Sequence, residues 1–173
     1  GASSVYAIDV DGDGDVDILG TAHLDDDITW WENDGSESFT KHIIDSGFNG
    51  ASSVYAIDID GDGDIDVLGA ASYDDDITWW ENDGTPGNGG WSQHTIDYSF
   101  DGASSVYATD MDGDGDIDVL GAANGYYDNA ITWWENDGSP GNGGWSEHTI
   151  DSDFVQASSV YAIDVDGDGD VDV

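Results

Sequence analysis

Across 173 residues, 40 Asp and Glu face a single basic side chain, Lys41, giving a formal net charge of −39 and an isoelectric point near 4.1. That balance excludes nucleic acid as a partner, because phosphate binding depends on Lys and Arg, and it excludes polybasic attachment to anionic lipid. No apolar run approaches the roughly 18 residues of a membrane span, so no membrane insertion is expected, and the absence of Cys rules out disulfides, thiolate metal sites and a cysteine nucleophile.

In chain order, residues 5–10 read as a first strand and residues 16–22 as a second, joined by an Asp-Gly loop too polar and glycine-rich for a helix. Residues 28–33 read as a third strand, and an Asn-Asp-Gly turn leads to a fourth at residues 39–44. The pattern then returns. SSVYAIDVDGDGDVD, which opens at Ser3, recurs in near-identical form at Ser52, Ser104 and Ser158. ITWWENDG opens at Ile28, Ile77 and Ile131, and an aromatic-polar-polar-His-x-Ile-Asp stretch covers residues 39–45, 91–97 and 145–151. Longer glycine-rich hairpin loops are expected at residues 85–90 and 139–144. The units are residues 1–49, 50–101 and 102–155, followed by a partial unit at 156–173. Periods of this size mark propellers, solenoids or arrays, in which stacking buries what one unit cannot.

Adjacent Trp residues on one strand, such as Trp30 and Trp31, must point to opposite faces of a sheet, so both faces need cover. With 38% hydrophobic and 12% aromatic residues there is apolar surface enough to provide it. The expected fold is all-β: tandem four-stranded antiparallel blades, β-propeller-like, forming either an incomplete ring or a stacked array.

Within each unit the spacing D-x-D-G-D-G-D-x-D sets carboxylates at loop positions one, three, five and nine, with the backbone carbonyl of position seven as a further oxygen. Hard oxygens on a glycine-kinked loop suit Ca²⁺ better than Mg²⁺, and with no His or Cys in the loop zinc and copper are poor candidates. The first half of the loop matches an EF-hand, but Gly20 stands where a bidentate Glu is needed, and the flanks alternate as strands do. Plain acidic turns of a salt-adapted protein are the competing reading. Against it stand four copies of one spacing, and loops that hold 20 of the 40 acidic residues. Without a cation the carboxylates would repel, so metal binding is expected to be coupled to folding.

The Asp-rich loop between two strands, followed by a strand ending W-W-E-N-D-G, resembles the FG-GAP/VCBS repeat family, whose members are similar to the blades of integrin α-subunit propellers. The resemblance covers nearly the whole chain. It implies a propeller of seven or so blades, calcium in the loop between the first two strands of a blade, and extracellular adhesive or binding roles; some relatives are lectins and some such propellers belong to polysaccharide lyases. Carried over by position, the implied ligands are Asp9, Asp11, Asp13 and Asp17; Asp58, Asp60, Asp62 and Asp66; Asp110, Asp112, Asp114 and Asp118; and Asp164, Asp166, Asp168 and Asp172. The carbonyls of Asp15, Asp64, Asp116 and Asp170 complete them, for up to four Ca²⁺. Three units and a fragment depart from the family, since rings usually need four to eight blades. The last eighteen residues nearly repeat the first eighteen, which fits a segment of a longer chain, a ring completed by copies of itself, or a filament.

Catalysis needs residues that break a repeat. His42, His94 and His148 recur and read as packed or hydrogen-bonded strand residues; the singletons are His23, Lys41, Tyr126, Tyr127 and Asn129, and there is no Arg. No serine stands in a nucleophile-elbow context. Trp30, Trp31, Trp79, Trp80, Trp133 and Trp134 read as core between blades, with Trp91 and Trp145 packing where Phe39 stands in the first unit. The variable loops at residues 23–27, 72–76 and 124–129 are where specificity is expected. The sequence thus predicts a non-catalytic, extracellular, calcium-binding module for assembly or adhesion, with copies of itself or further repeats as partners. Glycan binding by a lectin-like propeller is the alternative, and a lyase accessory or catalytic domain a lesser one. No N-glycosylation sequon is present.

Overall fold

The computed structural model describes residues 1–126 and 129–173; Tyr127, one of the singletons, lies outside them. Among the described residues, three four-stranded antiparallel sheets follow one another, with almost no helix, and they do not close into a ring. The first holds β1 (Ala2–Ile8), β2 (Asp17–Ala22), β3 (Asp27–Asn33) and β4 (Phe39–Asp45). The second holds β5 (Ala51–Ile57), β6 (Asp66–Ala71), β7 (Asp76–Asn82) and β8 (Trp91–Asp97). The third holds β9 (Ala103–Thr109), β10 (Asp118–Ala123), β11 (Ile131–Asn136) and β12 (Trp145–Asp151). Each is a plain meander, in strand order along the chain or its mirror. Single-turn 3-10 helices at Pro86–Asn88 and Pro140–Asn142 fill the two longer hairpin loops, each closed by a glycine with positive φ (Gly89, Gly143). The first strands begin three residues earlier than the sequence pattern indicated and stop at Ile8, because Asp9 already turns into the loop.

Period-two alternation puts the tryptophans where it must. Trp79 and Leu68 pack toward the third blade with Val106 and Trp134, whereas Trp80 and Val67 pack toward the first with Leu19, Ile28 and Trp30. Trp30 and Trp79 are fully buried, while Trp31, on the outward face of the first blade, is half-buried. Glycine on each second strand makes room for this packing: a Cβ on Gly69 would sit 2.9 Å from both the Trp80 ring and the Phe48 ring. Phe48 meets Trp80 edge-on at 5.0 Å, and Phe100 meets Trp134 in the same way at 5.0 Å.

The blades are also clasped at their inner strands. Ser3 Oγ donates to the Ala51 carbonyl (2.7 Å), Ser52 to Ala103 (2.8 Å) and Ser104 to Ala157 (2.8 Å). The neighbouring serine accepts in return, Ser4 from the Val54 N–H, Ser53 from Val106 and Ser105 from Val160, at 3.3–3.4 Å. Beside this line of serines, Tyr6, Tyr55, Tyr107 and Tyr161 form a column with ring centroids 4.6–4.9 Å apart. Residues beyond β12 make a half-blade, tied by the Ile163–Asp172 bridge, whose Ala162 and Val160 lie against Leu120 and Ile131 of the third blade.

Candidate metal centre

Each aspartate loop is shaped by its own carboxylates. Asp9 accepts the Gly12 N–H on one oxygen (2.8 Å) and the Gly14 N–H on the other (2.9 Å), and Asp58, Asp110 and Asp164 do the same in their loops. Both glycines must take positive φ to present those N–H groups, 75° at Gly12 and 98° at Gly14. Position three accepts from position five (Asp11 from the Asp13 N–H, 3.2 Å) and position five from position seven (Asp13 from Asp15, 2.8 Å), which curls the loop inward.

Carboxylate oxygens consequently converge. In the first two loops, oxygens of Asp9, Asp11 and Asp13, and of Asp58, Asp60 and Asp62, lie within 4.8 Å of one another. In the third and fourth the gathered sets are Asp110, Asp112 and Asp118, and Asp164, Asp166 and Asp172. Those two sets take in position nine, the first two take in position five, and neither kind brings all four carboxylates that close. At position seven, Asp64 and Asp116 stand against the turn that follows the third strand, where a Cβ on Gly84 or Gly138 would lie 2.9 or 3.0 Å from a carboxylate oxygen. Asp15 faces Gly35 similarly, so these side chains are turned to the turn and position seven has its backbone to offer a cation.

Position nine anchors the loop to its blade. Asp66, fully buried, accepts the Ile59 N–H (2.9 Å) and the Asn82 N–H (2.9 Å), one on each oxygen. Asp17 and Asp118 repeat the arrangement with Val10 and Asn33, and with Met111 and Asn136. Each oxygen keeps a second lone pair for a cation. Burial is the main reason these carboxyls titrate high: Asp66 is pushed up to about 7 and Asp118 to about 6, with neighbouring loop aspartates adding to the shift and the backbone N–H bonds opposing it. Burial also raises Asp11 and Asp60, helped by Asp13 and Glu32 in the one case and Asp62 and Glu81 in the other. Desolvated, mutually repelling carboxylates held in place by backbone donors, with no nitrogen or sulfur ligand, fit a hard divalent cation.

One residue escaped the sequence reading. Asn33, Asn82 and Asn136 donate both the backbone N–H to position nine and Nδ2 to the carbonyl just before it (Val16, Ile65, Ile117; 3.1 Å each), and their Oδ1 accepts from the next turn's glycine. The signal was present in the unvarying Asn of the three ITWWENDG blocks. The recurrent histidines are occupied: His42, His94 and His148 bond Glu32, Glu81 and Glu135 at 2.7–2.8 Å and stack on Trp30, Trp79 and Trp133. Of the singletons, His23 bonds Ser72 (3.2 Å) and Lys41 stands 4.0 Å from Asp27.

Compared with known families, the chain is matched by the FG-GAP-like repeat at residues 9–69, 58–121 and 110–173. It belongs to the FG-GAP-like repeat family. Each FG-GAP-like match starts on the first aspartate of a loop and runs through the next loop, the first two ending in the second strand beyond it (β6 and β10) and the third at Val173 in the half-blade, so the family's unit straddles two blades. No curated protein matches the chain.

Proposed function

We propose that this chain is a non-catalytic, calcium-stabilised scaffold of stacked blades, serving assembly or adhesion outside the cell. What carries the reading is the recurrence of one acidic oxygen cluster at one place on successive blades, each cluster gathered within 4.8 Å. Ca²⁺ would be held by the carboxylates of positions one, three, five and nine and by the carbonyl of position seven, and would supply the positive charge that these crowded carboxylates lack. The chain's own part is to pre-shape the loop with glycines of positive φ and to bind it through position nine to the third strand. Binding to the folded state alone adds about 2.7 kcal/mol per site at a hundredfold excess over the dissociation constant. Asp60→Ala combined with Asp62→Ala is therefore expected to lower the Tm by several degrees in saturating calcium and to leave the Tm in chelator little changed. A melting curve in calcium that the double substitution does not move refutes a structural site.

One observation favours glycan binding as a second reading. Tyr73, in the variable loop of the second blade, is 68% exposed, stands edge-on to His23 at 4.8 Å, and precedes Asp74, which bonds Asn49. An open ring beside polar groups is what a sugar face uses. Retention on immobilised polysaccharide that disappears in Tyr73→Ala would support it, and retention unchanged by the substitution would remove it.

A further inference from the structure

The inner strands set one phenol of each blade against the next. Tyr6 of β1 and Tyr55 of β5 have ring centroids 4.8 Å apart at an interplanar angle of 50°, and Tyr55 and Tyr107 of β9 have theirs 4.9 Å apart, again at 50°. Centroids this close put ring atoms in contact. The constant geometry shows that one ring is related to the next by the blade repeat, so like atoms lie beside like atoms. The hydroxyl of Tyr55 accordingly interacts with those of Tyr6 and Tyr107, and the ring carbons ortho to those oxygens are neighbours as well. All three side chains are half-buried, open enough for electrons to leave and held firmly enough to keep their partners. The chain has no cysteine and a single methionine, Met111, so little sulfur competes for an oxidant.

We propose that the column is a modification site: a peroxide-derived one-electron oxidant couples Tyr55 to Tyr6 or to Tyr107 as dityrosine, joining two blades by a covalent bond within one chain. Each of the two phenols gives up one electron and its hydroxyl proton, and the phenoxyl radical left behind carries part of its unpaired electron on the ortho carbons. Two such radicals in contact form one carbon–carbon bond between ortho carbons. The hydrogens on those two carbons then leave as protons, and the two phenolic oxygens are protonated again. In sum the chain loses two electrons and two protons, which the oxygen–oxygen bond of hydrogen peroxide takes up to give two waters. Tyr6 and Tyr55 stand 49 residues apart, and Tyr55 and Tyr107 stand 52 apart, so either link closes a long loop and removes much of the freedom of the unfolded chain. The blades would then stay in register when the aspartate loops lose whatever holds their charge.

The test oxidises the full chain at low concentration with photoexcited tris(bipyridyl)ruthenium(II) and persulfate, whose peroxo bond accepts the two electrons. Size exclusion then separates the 18.3 kDa species from linked dimers, since the exposed Tyr73, Tyr98 and Tyr126 are open to coupling between chains. The 18.3 kDa fraction is expected to show dityrosine fluorescence, a mass lower by two hydrogens, and, after digestion at aspartates, a peptide with Tyr55 joined to Tyr6 or Tyr107. Tyr55→Phe should remove both of those linked peptides while keeping the Tm of the unoxidised protein, and Tyr98→Phe should leave them unchanged. The linked chain should melt about 5–10 °C higher in chelator than the unlinked one. Dityrosine confined to dimers, or linked peptides that survive Tyr55→Phe, overturns the proposal. A linked chain with an unchanged Tm in chelator overturns its role in holding the blades together.

Discussion

Asp66 accepts two backbone N–H bonds and is fully buried, yet it titrates near 7 because desolvation outweighs those bonds and Asp60 and Asp62 add their charge. An unfolded Asp titrates near 3.8, so the folded state without metal holds this proton more tightly than the unfolded one. Its contribution to stability is complete below 3.8 and is lost as pH rises through about 7. Asp118, raised to about 6, acts in the same direction, as does Asp76, raised to about 6 by burial and by Asp74, Asp75 and Asp97. In chelator the protein is thus expected to melt at a higher temperature in mildly acidic than in mildly alkaline buffer. Calcium should shrink or invert that difference, since protons compete with the cation for the same oxygens. Differential scanning calorimetry at two pH values, with and without calcium, checks it; a chelated protein more stable at alkaline pH would contradict the assignment.

At the scale of the strand, β6 shows how a single hydrogen atom sets the distance between blades. Gly69 is overlain by Trp80, Phe48 and the tip of Ile28, all within 3.0 Å of where a Cβ would stand. Gly20, its counterpart on β2, faces the half-open Trp31, 3.0 Å away, and the Ser4 carbonyl at 3.6 Å, both of its own blade. Gly69→Ala should cost about 1–3 kcal/mol through overpacking, and Gly20→Ala clearly less. Equal losses in denaturant titrations would mean that packing between blades does not set the requirement. The opposed faces of the Trp pairs were legible in the sequence because period-two alternation is local and the pairs recur. The aspartate loops were legible because the carboxylate spacing itself encodes the curl. The Ser-Ser clasps were not, since a serine hydroxyl suits solvent, a turn or a strand equally, and its partner here lies about fifty residues away on the next blade. The sharing of carboxylates escaped too: which of positions five and nine joins the first pair depends on atomic placement within a loop of constant sequence spacing.

Over the whole molecule, each blade touches only its neighbours, so stability adds up blade by blade with one coupling across each interface. The middle blade is covered on both faces by complete sheets, whereas the first is covered on one face and the half-blade is paired by a single bridge. Amide exchange in calcium should accordingly be slowest in β6 and β7 and fastest in residues 158–172, and uniform protection along the chain would instead indicate one cooperative unit. The tyrosine column crosses all these boundaries. Tyr55, in its interior, is held above the ordinary phenol range by burial and by its bond to Tyr6, and Tyr107 is raised by burial and by Tyr161. Two touching phenols, Tyr55 and Tyr107, that resist ionisation only while the blades remain stacked are a built-in optical gauge: the near-ultraviolet absorbance of phenolate, followed in alkali, registers the parting of one blade from the next without any label.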